Sequence, residues 1–207
     1  MIFLSPFLLS ISSNLNTLKV SLSYGIKKIH LTKFITLLLA IITSMGTFIS
    51  MYFGKLILHL FQRSLGNIFG AILLSFIGVY FIVEYIRLET KHAGYDTSYY
   101  FESSLKYENI LEDTNAIDSD KSNHIDIKEC LNLSLALLQN NLFTGFAASM
   151  TGISISISVF FNFIITIVSV YLGYLNSDIY ISKWFNKYSN LVSGIILIIL
   201  GIYEAFI

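Results

Sequence analysis

Twelve consecutive residues carry the most specific chemical pattern in the chain: Asp118-Ser-Asp120-Lys-Ser122-Asn-His124-Ile-Asp126-Ile-Lys-Glu129. An EF-hand loop places oxygen ligands at positions 1, 3, 5, 9 and 12 and uses a backbone carbonyl at position 7. Here those positions hold Asp118, Asp120, Ser122, Asp126 and Glu129, with His124 offering its carbonyl. Alternating carboxylates can curl round a hard cation, and a terminal glutamate can bind it through both oxygens. Ca²⁺, Mg²⁺ and Mn²⁺ all suit such a donor set. Asn123 replaces the usual glycine, and asparagine tolerates the left-handed backbone better than most residues. The competing reading is an acidic linker whose spacing is accidental.

A second group of residues lies in apolar surroundings. Asn16 and Lys19 fall within one turn of each other, and Ser5, Ser12, Ser13 and Ser23 share their side of a helix at about 100° per residue. Asn140 and Thr144, with Ala136, Ala147 and Thr151, form a similar small and polar stripe further along. Amides and hydroxyls in such a setting either coordinate a partly dehydrated cation or bond helix to helix. Lys19 either snorkels to the nearer membrane surface or holds its charge where a transported cation would sit. Asn16, Lys19, Asn140 and Thr144 are the candidate transport site. No pair of acid and base groups stands at catalytic spacing, so the residues suggest no enzyme. His59 and His92 have no partners at metal-ligand spacing.

The elements that must position these groups are membrane helices. The chain has 207 residues, 55% hydrophobic and 13% charged, with a mean hydropathy of +0.70. Soluble domains carry roughly 25% charged residues. The 13 basic and 13 acidic residues cancel, which gives no footprint for nucleic acid, and one cysteine, Cys130, excludes an internal disulfide framework. A bilayer core needs about 20 apolar residues per helix, and six stretches qualify: 2–23, 32–54, 66–86, 131–152, 154–174 and 189–207. The first lacks a basic leader and reads as a retained span. Residues 87–127 contain nine acidic and four basic residues and cannot lie in lipid.

Lysine and arginine set the expected orientation. Lys27, Lys28, Lys33, Arg87, Lys91, Lys106, Lys121, Lys128, Lys183 and Lys187 fall in segments on one side, against Lys55 and Arg63 on the other. That places the central interval in the cytoplasm and both termini outside.

The chain also repeats itself. Asn16 matches Asn140, Tyr52-Phe-Gly54 matches Tyr171-Leu-Gly173, and Asn67, Gly78 and Tyr80 match Asn190, Gly201 and Tyr203, at offsets of 124, 119 and 123. Each half has an odd number of spans, so the second must enter the membrane from the opposite side. The expected fold is an all-α integral membrane protein of six transmembrane helices arranged as two inverted three-helix repeats. Residues 1–86 form the first repeat and 130–207 the second. They flank an acidic cytoplasmic loop, 87–129, with the EF-hand-like segment 118–129. Transporters of this kind bind their cargo near the midplane, where the halves meet.

With Ser21-Leu-Ser-Tyr-Gly-Ile-Lys-Lys-Ile-His30, the Asp118–Glu129 loop running into Leu131-Asn-Leu-Ser-Leu-Ala-Leu137, and the Gly-x-Tyr endings of spans three and six, the chain resembles a known family. It is similar to the MntP-type manganese efflux pumps, and more closely to their relatives called sporulation membrane protein YtaF. The resemblance implies six helices, two related halves and export of a divalent cation across a bacterial plasma membrane. It also implies acidic residues at the positions of Asn16 and near Asn140, so this chain departs from the family pattern at its core. The alternative is a YtaF-like membrane protein that does not transport, or has altered specificity, and senses a divalent ion through its loop. Amino-acid export is a third candidate. The expected partners are the bilayer, a divalent cation and a second copy of the chain as a homodimer, with no nucleic acid and no covalent cofactor.

Overall fold

The structure is a computed structural model that describes residues 3–58, 63–92, 122, 124–176 and 178–206. Six helices make up the described chain: α1 (Leu4–Lys27), α2 (Lys33–Leu58), α3 (Arg63–His92), α4 (Ile127–Met150), α5 (Ile155–Leu175) and α6 (Ile179–Ala205). All are helical where the sequence places its apolar stretches, but several outrun them. α6 begins ten residues before the expected 189, and α3 continues to His92 rather than stopping at 86. Hydropathy marks where a helix leaves hydrocarbon. It does not mark where backbone hydrogen bonding ends, so Arg87, Lys183 and Lys187 ride on helices and not in loops.

The α1–α2 and α4–α5 connections are short. α1 ends on Lys28 in the left-handed conformation (φ 58°), where the N–H groups of Lys28 and Ile29 return to the carbonyls of Gly25 and Tyr24. This closes the open carbonyls of the last turn. α4 turns into α5 through Gly152 at φ 86°, a conformation that penalises any side chain.

Among the described residues four helices are long and apolar enough to cross a membrane: α2, α3 over Leu65–Thr90, α5 and α6. α1 and α4 are not among them, and the packing gives the reason. Each has 13 buried residues in 24, many of them polar, which lowers its hydropathy, although Leu135 and Phe143 of α4 still face outward. On α5 the buried face is only Ser158, Asn162, Thr166, Ser169, Val170 and Gly173. Phe160, Ile164, Val168, Tyr171 and Leu172 face outward. Small and polar side chains point in and large apolar ones point out, which suits hydrocarbon as solvent and not water.

The most extensive contacts are α3 with α6, α2 with α4 and α1 with α5, followed by α1 with α6, α2 with α5, α3 with α4 and α1 with α4. Exchanging α1 with α4, α2 with α5 and α3 with α6 maps this set of pairs onto itself. Detail follows the same exchange at the α3–α6 crossing. A Cβ on Gly78 would lie 2.6 Å from the Gly194 carbonyl oxygen and 2.7 Å from Ile198. A Cβ on Gly201 would lie 2.8 Å from the Ala71 carbonyl oxygen and 2.5 Å from Ser75. Both contacts are related by the 123-residue offset.

Two apolar clusters occupy the interior. One gathers Val20, Tyr24, Leu39, Cys130, Leu133, Leu137 and Val170, and the other Leu9, Met51, Leu74, Ala147, Leu197 and Leu200. Along α1, α2 and α5 most of the buried residues between the clusters are polar.

Candidate functional site

That polar layer is built from three stripes with matching spacing. α1 presents Ser10, Asn14, Thr17 and Ser21, α2 presents Thr43, Thr47 and Ser50, and α5 presents Ser158, Asn162, Thr166 and Ser169. Steps of three and four residues keep each stripe on one helical face. Where the stripes meet, four side chains lock together. Asn14 Nδ2 donates to Asn162 Oδ1 at 2.8 Å, Thr166 Oγ1 donates to Asn14 Oδ1 at 2.7 Å, and Asn162 Nδ2 donates to Thr47 Oγ1 at 3.2 Å. Asn14 Nδ2 also reaches the Ser10 carbonyl at 2.9 Å. None of the four residues is more than 5% exposed. All lie within about three residues of the midpoint of their helix, roughly 5 Å along the axis.

The residues singled out from the sequence sit beside this layer. Asn16 and Lys19 are buried in α1, at 9% and 7% exposure, and Thr144 is buried in α4, while Asn140 is half-buried. Thr144 Oγ1 donates to the Asn140 carbonyl at 2.8 Å and lies 3.4 Å from Ser13 Oγ, which joins α4 to α1. Also on the Asn16 side of α1, opposite Asn14, Ser12 and Ser193 of α6 exchange hydroxyl-to-carbonyl bonds of 3.1 and 2.9 Å. α1 is thus buried on more than the single polar face read from its wheel. Asn14, some 200° from Asn16, is the amide that meets the other half of the chain.

Sequence reasoning missed Asn14, Asn162, Thr166 and Thr47. The signal was present in the repeated three-and-four spacing of small polar residues in α1, α2 and α5. It is visible only when the stripes are compared across helices.

The layer supplies neutral oxygens: two amide carbonyls and two hydroxyls. Both amide oxygens accept hydrogen bonds from neighbouring side chains here, so the network is closed on itself. A cation could be held only by exchanging those bonds for coordination. Ser158 Oγ and Ser44 Oγ, also buried, have no hydrogen-bond partner, and neither has Asn141 Oδ1 in α4. The buried carboxylates lie elsewhere. Glu84 stands 3.4 Å from Arg87, Glu204 is near the end of α6, and Glu129 opens α4.

The loop pattern is covered only in part, because Asp118 and Asp120 lie outside the described residues. Of the rest, Ser122 and His124 are exposed, and Ser122 Oγ donates to the His124 carbonyl at 2.9 Å. Asp126 caps α4, and Glu129 Oε2 accepts from the Asp126 N–H at 3.2 Å, a capping-box arrangement that starts the helix. Among the described residues no three His, Cys, Asp or Glu side chains converge on a point that could hold a metal ion.

An apolar exterior around an amide, hydroxyl and ammonium interior defines the class, a multi-helix integral membrane protein. Residues 104–203, which run from the interval before α4 through most of α6, match the family model Mntp, described as a putative manganese efflux pump. The match supports the resemblance drawn from the sequence and covers the second half of the chain. No curated protein and no solved structure matches the chain.

Proposed function

We propose that the chain is a six-span transporter of the manganese-efflux type, with two inverted three-helix halves and a cation path through the mid-height polar layer. The observation that carries this reading is the Asn14–Asn162–Thr166–Thr47 network. It joins α1 and α2 of the first half to α5 of the second, at the depth where inverted-repeat transporters bind cargo. The exchange-symmetric packing and the mirrored glycine contacts favour the two-half arrangement. The family match favours a divalent cation. Asn16, Lys19, Asn140 and Thr144 flank the path. The lysine and arginine distribution favours a cytoplasmic central interval with both termini outside, in a bacterial plasma membrane.

The test is Mn²⁺ flux into proteoliposomes, alongside manganese tolerance in cells that lack their own exporter. The expected result is flux above empty liposomes and lowered intracellular manganese. Absence of both, with the protein verified in the membrane, refutes transport.

A second reading has an observation in its favour. Among the described residues the polar layer contains no carboxylate, and Lys19 is buried on the same helix as Asn14, so charge compensation for a dehydrated Mn²⁺ is poor. On that reading the chain senses a divalent ion through the segment 118–129, with Asp118, Asp120, Ser122, the His124 carbonyl, Asp126 and Glu129 as ligands. Ca²⁺ titration of the full chain in detergent then yields saturable binding that Asp118→Asn abolishes, while proteoliposome flux is nil.

A further inference from the structure

The α1–α2 connection, the described residues just before α4 and the end of α5 meet at one end of the bundle, and they bring together side chains that the transport path does not use. The α1–α2 connection and the strand-like stretch before α4 pair as a parallel bridge between His30 and His124, with the Ile125 N–H reaching the His30 carbonyl at 3.4 Å. Their imidazole rings stack with centroids 5.4 Å apart and planes 28° from parallel. Tyr174, near the end of α5, places its hydroxyl 3.0 Å from His30 Nδ1. Both histidines are exposed. Backbone pairing therefore fixes the spacing of the two residues that carry these imidazoles.

We propose that His30 and His124, steadied by Tyr174, form a docking site for a first-row divalent transition-metal ion at this end of the bundle. The distance fits. An ion held at about 2.1 Å by one nitrogen of each ring, at a tetrahedral angle, sets the ring centres about 5 Å apart. Turning the rings from stacked to edge-on points both nitrogens at one ion. Tyr174 supplies the outer support that such ligands use: a His30 Nδ1–H donated to the phenol oxygen leaves Nε2 with its lone pair outward. Two imidazoles with water in the remaining positions suit Mn²⁺ through Zn²⁺ and not Ca²⁺, which takes oxygen ligands. Mn²⁺ binds weakest in that series, so the site would hold it briefly, as a capture point and not a store. The cluster is also not a product of duplication. At the offsets of 124 and 119, the positions matching His30 and Tyr174 are Ser154 and Lys55, so the opposite end carries a hydroxyl and an exposed ammonium instead.

The site rests on the divalent-cation reading above, and equilibrium binding separates the two. The full chain in detergent is titrated with Co²⁺, read by its visible absorption, for the native protein and for His30→Gln, His124→Gln, the pair together, and Tyr174→Phe. The expected result is that each histidine variant weakens binding at least about tenfold, the pair little more than either alone, and Tyr174→Phe by a smaller factor. Millimolar Ca²⁺ does not compete. Co²⁺ binding that survives in the double histidine variant overturns the site. So does binding that Ca²⁺ displaces and Asp118→Asn abolishes, since the ion then sits in the acidic loop. Histidine-dependent binding without Mn²⁺ flux refutes transport alone. Flux that continues at the native rate in a double variant with unaltered Co²⁺ binding refutes the docking site alone.

Discussion

Replacing Asn14 with leucine keeps the branching of the side chain and removes all of its hydrogen bonds. Two of those bonds cross between helices, to Asn162 and Thr166. Interhelical bonds inside membrane proteins contribute about 0.6 kcal/mol each on average, so their loss costs about 1 kcal/mol. The larger effect is what remains behind. Asn162 Oδ1 loses its donor in a site 1% exposed, and a buried unsatisfied acceptor costs about 1–3 kcal/mol. Asn14→Leu is therefore expected to destabilise by about 2–4 kcal/mol in total. Asn162→Leu also removes two interhelical bonds but strands nothing. Asn14 Nδ2 keeps the Ser10 carbonyl, Asn14 Oδ1 keeps Thr166, and Thr47 keeps its bond to the Thr43 carbonyl. Its cost is about 1 kcal/mol. The double variant loses three distinct bonds with no orphan, about 2 kcal/mol, well below the sum of the singles. Denaturant titration in mixed micelles, followed by helical signal, measures all three. Equal single costs, or an additive double variant, would falsify the closed-network account.

Three other outcomes follow from particular contacts. Gly78→Ala sets a Cβ 2.6 Å from the Gly194 carbonyl oxygen, backbone against backbone, and should cost about 2 kcal/mol or more, whereas Gly152→Ala meets open space and loses only about 1 kcal/mol to its positive φ. Thermal unfolding in detergent ranks the two. Glu129→Gln keeps the capping-box acceptor and should leave stability within about 0.5 kcal/mol, while Glu129→Ala should lose about 1 kcal/mol; Ca²⁺ titration of the Gln variant separately tests whether that carboxylate binds an ion. Asn16→Asp with Lys19→Val should raise Mn²⁺ flux in proteoliposomes above the native chain, and flux unchanged in that variant removes these residues from the path.

How much could be read in the sequence depended on the kind of signal. The six apolar stretches became six helices because 20-residue hydrophobicity is a local property, and the 123-residue offset between spans three and six relates the contacts at Gly78 and Gly201. The helix ends were harder. Lys183 and Lys187 break the hydropathy of α6 without breaking its backbone, and Lys187 finds Glu89 of α3 at 2.6 Å. The central network was harder still. A wheel drawn for α1 alone favours the face of Asn16, which has more polar residues. It cannot register that a central helix has neighbours all round, nor that Asn162, 148 positions later, waits opposite Asn14. His30 and His124 were separated by 94 positions, and their meeting is a consequence of how the connections pack. Single-helix periodicity finds faces, and only the packing decides which face meets which.

The α1–α5 and α2–α4 joints, which exchange when α1 is swapped with α4 and α2 with α5, are held by different chemistry. Asn14 fastens α1 to α5, but at the 124-residue offset its counterpart in α4 is Leu138, which packs against Gly46 of α2. A Cβ at Gly46 would overlap the end of the Leu138 side chain. Gly46→Ala should therefore cost about 1–3 kcal/mol by overpacking. Leu138→Ala should cost about 2 kcal/mol through lost contacts. In the double variant the new methyl enters the space the leucine leaves, so its cost should fall below the sum by about 1 kcal/mol or more. No such rescue is expected between Gly46→Ala and Asn14→Leu, which act on separate joints. Additivity within the α2–α4 pair, or coupling between Gly46 and Asn14 of comparable size, would show that the α1–α5 and α2–α4 joints are not two separate seams, one held by amide hydrogen bonds and the other by a leucine seated over a glycine.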